Sequence, residues 1–397
     1  MMTDMKPWLL PDGVEEILPV EAYKLESLRR ELLDLYKSWG YEFVITPLIE
    51  YLDSLLVGSS HDLDLHTFKI TDQLSGRMMG IRADITPQAA RIDAHCLNRE
   101  GPARLCYADN VLHTKPRGIM TSRVPIRIGA ELYGHSGVEC DIELVCLMHQ
   151  TLKAIEINDF HIVLGHVGIF RTLVHEAKLK ESTERELFEA VQRKAYDEID
   201  LVLSKSVSDS VLRGMLQNLT RLSGDEETLS KALTVFADAP DSVKAELKEL
   251  VAIVEEVKQR IPDIVLCFDL CELRGYEYHT GIVFAAYSPN YGRAVAKGGR
   301  YDHIGEVFGR ARPASGFDSD LKVLARLSKK VPEKKAGILA PNIVDEKLSD
   351  FVDGLRKQGE VVITNLVNQT IDKETCEELN CDRQIVLKNN SWLVDPL

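Results

Sequence analysis

Val111-Leu112-His113-Thr114-Lys115-Pro116-Arg117 leads into a polar loop from which the chain returns through Ile126-Arg127-Ile128-Gly129-Ala130-Glu131-Leu132-Tyr133-Gly134. Residues 104–112 and 126–134 read as two strands joined across 113–125, a loop that holds Lys115, Pro116, Arg117, Gly118 and Arg123. That is the pattern of an antiparallel hairpin. Glu131 sits in the second strand between apolar neighbours, and a buried carboxylate without a partner is costly. Its partner is either Arg127, four residues back, or a cationic group of a bound ligand.

Outward from the hairpin, residues 21–39 carry Leu25, Leu28, Leu32, Leu35, Tyr36 and Trp39 at helical spacing, with Gly40 as the stop. Tyr41-Glu42-Phe43-Val44-Ile45 then reads as a strand running into Pro47. Residues 140–157 and 168–177 read as helices around a strand at 160–164, and 180–260 is helical by periodicity. The spacing predicts strands at 263–273, 281–288 and 293–297, and a helix at 317–328. A linker at 333–335 precedes a segment, 336–397, that alternates strand, helix, strand, helix, strand.

The hairpin resembles the second signature motif of the class II aminoacyl-tRNA synthetases, with a difference. Counting back from Glu131 puts His113 where the family's phosphate-binding Arg belongs and Lys115 where its Glu belongs; aligning on Pro116 puts Leu112 and Thr114 there. Gly316-Phe317-Asp318-Ser319-Asp320-Leu321-Lys322-Val323-Leu324 is similar to the third motif, with Val323 in place of the Arg. A synthetase offsets the charge of ATP with Mg²⁺ and guanidinium forks that neither neutral His nor Val can imitate, and an Asp at 318 or 320 repels the triphosphate further.

The amino-acid side of the resemblance is kept. Ile81-Arg82-Ala83-Asp84-Ile85-Thr86-Pro87-Gln88, Leu273-Arg274-Gly275-Tyr276-Glu277-Tyr278-His279-Thr280-Gly281 and Gly298-Gly299-Arg300-Tyr301-Asp302 resemble three segments of histidyl-tRNA synthetase, in the same order. Motifs of the amino-acid side without the ATP clamps match the regulatory-subunit family of ATP phosphoribosyltransferase, to which residues 8–325 and the ends of the chain are similar. The resemblance implies an α+β fold: a class II synthetase-like antiparallel sheet with flanking helices in 1–330, including a helical insertion at about 180–260. A small C-terminal α/β domain at 334–397 resembles a truncated anticodon-binding domain. It further implies a non-catalytic subunit with no cofactor, no metal and no catalytic residue. Such a subunit forms a homodimer through 21–50, within a hetero-oligomer with a short-form catalytic subunit that it activates, and takes L-histidine as feedback effector.

The histidine-binding set carried over is Asp84, Thr86, Arg127, Glu131, Arg274, Tyr278, His279 and Tyr301. Arg127 stands where the synthetase pattern has Gln, and His279 where it has Tyr. Each residue also has a plainer reading. Arg274 can pair with Glu277, Glu272 or Asp84; Asp84 and Thr86 can cap the helix that begins near Pro87; the tyrosines, Tyr107 and Tyr276 included, can be packing aromatics. An active histidyl-tRNA synthetase and a stand-alone histidine-binding paralogue are the competing functions.

Composition agrees with a cytoplasmic protein. The 397 residues are 45% hydrophobic and 28% charged, and 48 basic against 62 acidic side chains give −14, which disfavours nucleic acid. From Lys334 onward there are eight basic and eleven acidic residues, a poor RNA binder. The N-terminus lacks an apolar signal region, and no run of about 18 apolar residues follows. The eight cysteines form no CxxC pair; Cys267 with Cys271 and Cys376 with Cys381 read as reduced thiols rather than zinc ligands.

Overall fold

The computed structural model describes residues 8–56, 61–116, 118, 121–273, 276, 278–333, 335–366 and 373–397. The chain divides into two compact units, Met1–Lys330 and Val331–Leu397.

The first unit is built on a nine-stranded sheet. Its strands run, in spatial order, Glu42–Phe43, Ala103–Asn110, Ile126–Tyr133, Ala314–Asp320, Ala294–Arg300, Ile282–Tyr287, His161–His166, Leu266–Asp269 and Ser223–Gly224. The six from Ala103–Asn110 to His161–His166 pair antiparallel, and parallel pairs flank them. Because alternate residues of a strand face opposite sides, the pleat sorts the hairpin into two chemistries. Cys106, Ala108, Ile128, Ala130, Leu132 and Phe317 face a large apolar core shared with helices Pro19–Ser38 and Glu139–Ala154. Tyr107, Arg127, Gly129, Glu131, Gly316 and Asp318 share the other face, as their register shows.

Helix Pro19–Ser38 buries Leu25, Leu28, Leu32 and Tyr36 along one stripe. It ends as the sequence demands: Gly40 takes φ +84°, a left-handed conformation that costs glycine little. The insertion comprises helices Glu181–Gln192, Tyr196–Ser206, Ser210–Leu219, Glu227–Val235 and Asp241–Arg260, whose Leu187, Leu203, Leu216 and Leu247 join the same core.

Three expectations are corrected and one element is added. The strand at 41–45 is only Glu42–Phe43, because it pairs along one edge and leaves before Pro47. Strand 263–273 contracts to Leu266–Asp269. The helix read at 317–328 is strand Ala314–Asp320 followed by helix Leu321–Leu327: neighbours on both sides hold Gly316-Phe317-Asp318 extended, and the Asp320 side chain accepts from Lys322 N at 3.0 Å to start the helix. A three-stranded sheet of Ile49–Tyr51, Met78–Ile81 and Phe68–Thr71 was not foreseen.

The second unit is a four-stranded sheet in the order Val362–Thr364, Gly337–Ala340, Cys381–Lys388, Ser391–Pro396, with helices Glu346–Lys357 and Lys373–Glu378. Its last strand forms a hairpin with the preceding one, one strand more than the sequence reading. Ile338, Leu348, Val352, Val362 and Ile385 form its core.

Arg82 fastens the approach to the site. It is 1% exposed, and its guanidinium donates to Asn110 O at 2.7 Å, to Thr46 O at 2.8 Å and Oγ1 at 2.6 Å, and pairs with Asp109 at 2.7 Å. Arg82→Met preserves volume but strands two backbone carbonyls, and should cost about 2–4 kcal/mol. In urea unfolding the midpoint should fall with an unchanged slope; an unchanged midpoint would show that solvent replaces these contacts.

Candidate functional site

Glu131 lies mid-strand and 1% exposed, and it is met by hydroxyls from three separate elements. Thr86 Oγ1 donates to Oε1 at 2.8 Å from the first turn of helix Thr86–Arg91, and Tyr107 OH donates to the same oxygen at 3.0 Å from the neighbouring strand. Tyr301 OH donates to Oε2 from the end of strand Ala294–Arg300. Opposite Glu131 stands Gly316, where any Cβ would overlap the carboxylate and crowd the Tyr301 hydroxyl. Burial pushes the Glu131 carboxyl well above the usual carboxylate range; the Thr86 and Tyr107 hydroxyls pull it back, while Asp84 and Asp318 push it further.

Arg127 shares the Glu131 face but pairs with Asp318 at 3.3 Å, which overturns the reading of Arg127 as the Glu131 partner. Burial works against its charge and is outweighed by Asp318, Asp84 and Asp320, so its pKa rises. Burial likewise raises the Asp320 carboxyl, with Arg127 opposing. Asp84 Oδ1 accepts from Ile85 N at 2.7 Å and Thr86 N at 3.4 Å. Asp84 therefore steadies the turn before the helix, whose N-cap is Ile85 with no side-chain cap, and the Thr86 hydroxyl is spent on Glu131 rather than on a cap.

His279 and Tyr278 line the next part of the face. His279 is buried, its Nδ1 lies 3.1 Å from Arg300 O, and its ring covers Gly299. Burial lowers its pKa to about 4, so the imidazole is neutral at physiological pH. Tyr278 is 40% exposed, with its ring centroid 4.2 Å from that of His279. Tyr301 lies 6.2 Å from His279, ring to ring. The run Gly298-Gly299-Arg300-Tyr301-Asp302 splits by pleat. Arg300 goes to the opposite face and pairs with Asp141 at 2.7 Å, and Asp302 accepts from Thr280 Oγ1 and Ala314 N, each at 3.1 Å. Arg274, the expected carboxylate anchor, lies outside the described residues.

The structure thus brings together Asp84, Thr86, Arg127, Glu131, His279 and Tyr301, with Tyr278 beside His279. It adds Tyr107, Gly316 and Asp318, which were not in the histidine-binding set carried over from the sequence. Tyr107 had no legible signal, because the long hairpin loop hides which residue of the first strand faces Gly129 and Glu131. On the nucleotide side, His113 is 2% exposed with Nε2 3.0 Å from Ala83 O, and Val323 is buried in helix Leu321–Leu327. Neither is a phosphate clamp.

Comparison with known proteins follows the same division. Residues 13–324 match the family model for histidyl-tRNA synthetase, and residues 335–395 match that for the ATP phosphoribosyltransferase subunit HisZ C-terminal domain. Relatives from Stutzerimonas stutzeri and Azotobacter vinelandii are 52% and 51% identical over 397 residues, covering 100% of each chain, and both are named ATP phosphoribosyltransferase regulatory subunit. The chain belongs to that family. A solved structure described as an ATP phosphoribosyltransferase regulatory subunit/histidyl-tRNA synthetase from Bacillus halodurans superposes with TM-score 0.82 at 25% identity, covering 96% of this chain and 99% of that one. A histidyl-tRNA synthetase from Nostoc shares the fold, at TM-score 0.78 and 20% identity over 96% of this chain and 91% of its own. Membership in a regulatory-subunit family agrees with His113 and Val323, rather than arginines, at the two positions described on the nucleotide side.

The raised Glu131 carboxyl has a measurable consequence. A carboxyl whose folded pKa is raised contributes stability that is complete below the ordinary carboxylate range and is lost as pH rises through the elevated value. Glu131→Gln cannot ionise, so from about pH 5 to about pH 8 the stability difference should move in favour of the variant. Denaturant unfolding of both proteins over that range, without ligand, checks it; a constant difference would mean that Glu131 titrates like an exposed carboxylate.

Proposed function

We propose that this chain is a non-catalytic regulatory subunit that activates a separate, short-form ATP phosphoribosyltransferase catalytic subunit and carries feedback by L-histidine. The observation that carries the reading is the Glu131 face. Asp318, Asp84 and Asp320 act on the Arg127 guanidinium, and Glu131 lies on the same face beside Asp84 and Asp318. This face suits an ammonium group and disfavours a triphosphate. Among the described residues there is no phosphate cradle for adenylate formation, so histidine-dependent pyrophosphate exchange should be absent; exchange at synthetase rates would reject the reading.

Histidine fits the proposed set by chemistry. Its ammonium goes to Glu131 with Thr86 and Tyr107, its imidazole lies against His279, Tyr278 and Tyr301, and Arg274 is the proposed partner of its carboxylate. A bound ammonium favours the charged form of Glu131 that burial disfavours, so any proton the carboxyl still carries should be released as histidine binds. Glu131→Gln should weaken binding by roughly 10- to 150-fold, or about 1.5–3 kcal/mol. Calorimetry in buffers of different ionisation enthalpy reads both effects. Mixed with the catalytic subunit, Glu131→Gln should keep activation and lose histidine inhibition, because coupling between sites needs the effector contact while activation does not. Lost activation in an intact complex would show that the two roles are one.

The proposed homodimer has a matching surface. Leu18, Val20, Tyr23, Phe43, Ile45 and Leu48 are each exposed in or just before the segment proposed for the interface, Ile45 to 76%, and exposed large apolar side chains suit an association surface. Ile45→Glu should give monomers in sedimentation where the wild type sediments as a dimer. The proposed location is the cytoplasm; no helix among the described residues is long and apolar enough to cross a membrane.

A further inference from the structure

A second cluster of titratable side chains lies away from the Glu131 face. His166 closes strand His161–His166, and Glu246 and Glu249 stand one turn apart on helix Asp241–Arg260. One ligand atom from each lies within 4.8 Å of the others. The His166 ring is 1% exposed and its Nδ1 has no hydrogen-bond partner, an expensive state for a buried nitrogen. Burial holds this imidazole neutral, at about 3, and in the tautomer with its proton on Nε2 the Nδ1 atom offers a lone pair.

The spacing is informative. Glu246 Oε2 lies 3.2 Å from His166 Nδ1 without forming a hydrogen bond to it. Two ligands bound to one tetrahedral zinc at about 2.0–2.2 Å lie roughly 3.3–3.5 Å apart, so this pair already stands close to the edge of a coordination shell. Glu249 is exposed, and a rotamer change brings its carboxylate in. Gly168 lets the Glu246 carboxylate approach the backbone, since a Cβ there would meet its oxygens at 2.6 Å. Burial, with Glu249 adding and Arg171 opposing, raises the Glu246 carboxyl to about 7, so the two carboxylates lack full compensation.

We propose that His166 Nδ1, Glu246 and Glu249 bind one divalent transition-metal cation of the zinc type, with solvent completing the shell. One imidazole and two carboxylates are a donor set for such ions. The cation fastens the last helix of the insertion to the corner that supports the His279 segment. His166 pairs with Ile282, Val167 N donates to Gly281 O at 3.0 Å, and Arg171 in the following helix, Val167–Glu176, donates to Tyr276 O at 2.7 Å and His279 O at 3.0 Å. Occupancy of this site therefore bears on the order of one wall of the Glu131 face, and the proposal stands whether or not histidine is the ligand there.

The test is titration of zinc into the full-length, chelator-treated protein, followed by calorimetry and thermal unfolding, for wild type, Glu249→Gln and Glu246→Gln. Glu249 is a surface residue, so its variant should fold as judged by circular dichroism. The wild type should take up one equivalent and melt at higher temperature with zinc, and both variants should bind at least roughly tenfold more weakly, in line with the sensitivity of metal sites to ligand changes. Cobalt in place of zinc should show no thiolate charge-transfer absorption. Uptake unaltered by either variant, or carrying a thiolate band, would assign the metal to cysteines and overturn the proposal. No uptake by the wild type would overturn it as well.

Discussion

A carboxylate held inside a protein needs either a counter-charge or enough hydrogen bonds to replace water. Glu131 has the second. Three hydroxyls reach it from a helix start, a neighbouring strand and a strand end, residues 86, 107 and 301. For these to converge, the helix at Thr86–Arg91 must sit on the sheet, the hairpin must keep its register, and Gly316 must leave the carboxylate room. Much of the first unit is arranged around that demand. Ala89 and Ala90 press the helix onto Ala103, Leu105, Tyr133 and Ala314, and Arg82 locks the loop leading to it.

The same face explains how one scaffold supports a synthetase in one lineage and a regulatory subunit in another. The sheet supplies positions; the residues at those positions set the charge. Asp318 and Asp320 turn the only guanidinium described on this part of the face inward, to an ion pair. A guanidinium already neutralised by buried carboxylates has little left for a phosphate. This charge pattern sits on a fold that resembles both kinds of protein.

The corner behind the His279 segment is a separate device. Arg171 holds two carbonyls of that segment, and the adjacent His166, Glu246 and Glu249 join the insertion to the sheet. The insertion, which carried no legible chemistry in its sequence, is tied through this corner to the wall of the site.

By itself the sequence determined the class of fold and the stop at Gly40, and it pointed to several of the residues that gather around Glu131. Periodicity reports which face of an element is apolar, and Asp84, Glu131, His279 and Tyr301 sit in short motifs whose spacing is local. The tertiary structure alone decided who meets whom. Cross-strand register placed Tyr107 and Gly316 against Glu131 and gave Arg127 to Asp318. It also turned Phe317-Asp318 from helix to strand, because pairing on both sides outweighs a weak local preference. The unpartnered nitrogen of His166 and the carboxylates 80 and 83 positions further along the chain are neighbours only once strand and helix pack. A chain's local pattern encodes burial and period, whereas pairing between distant segments depends on the packed whole.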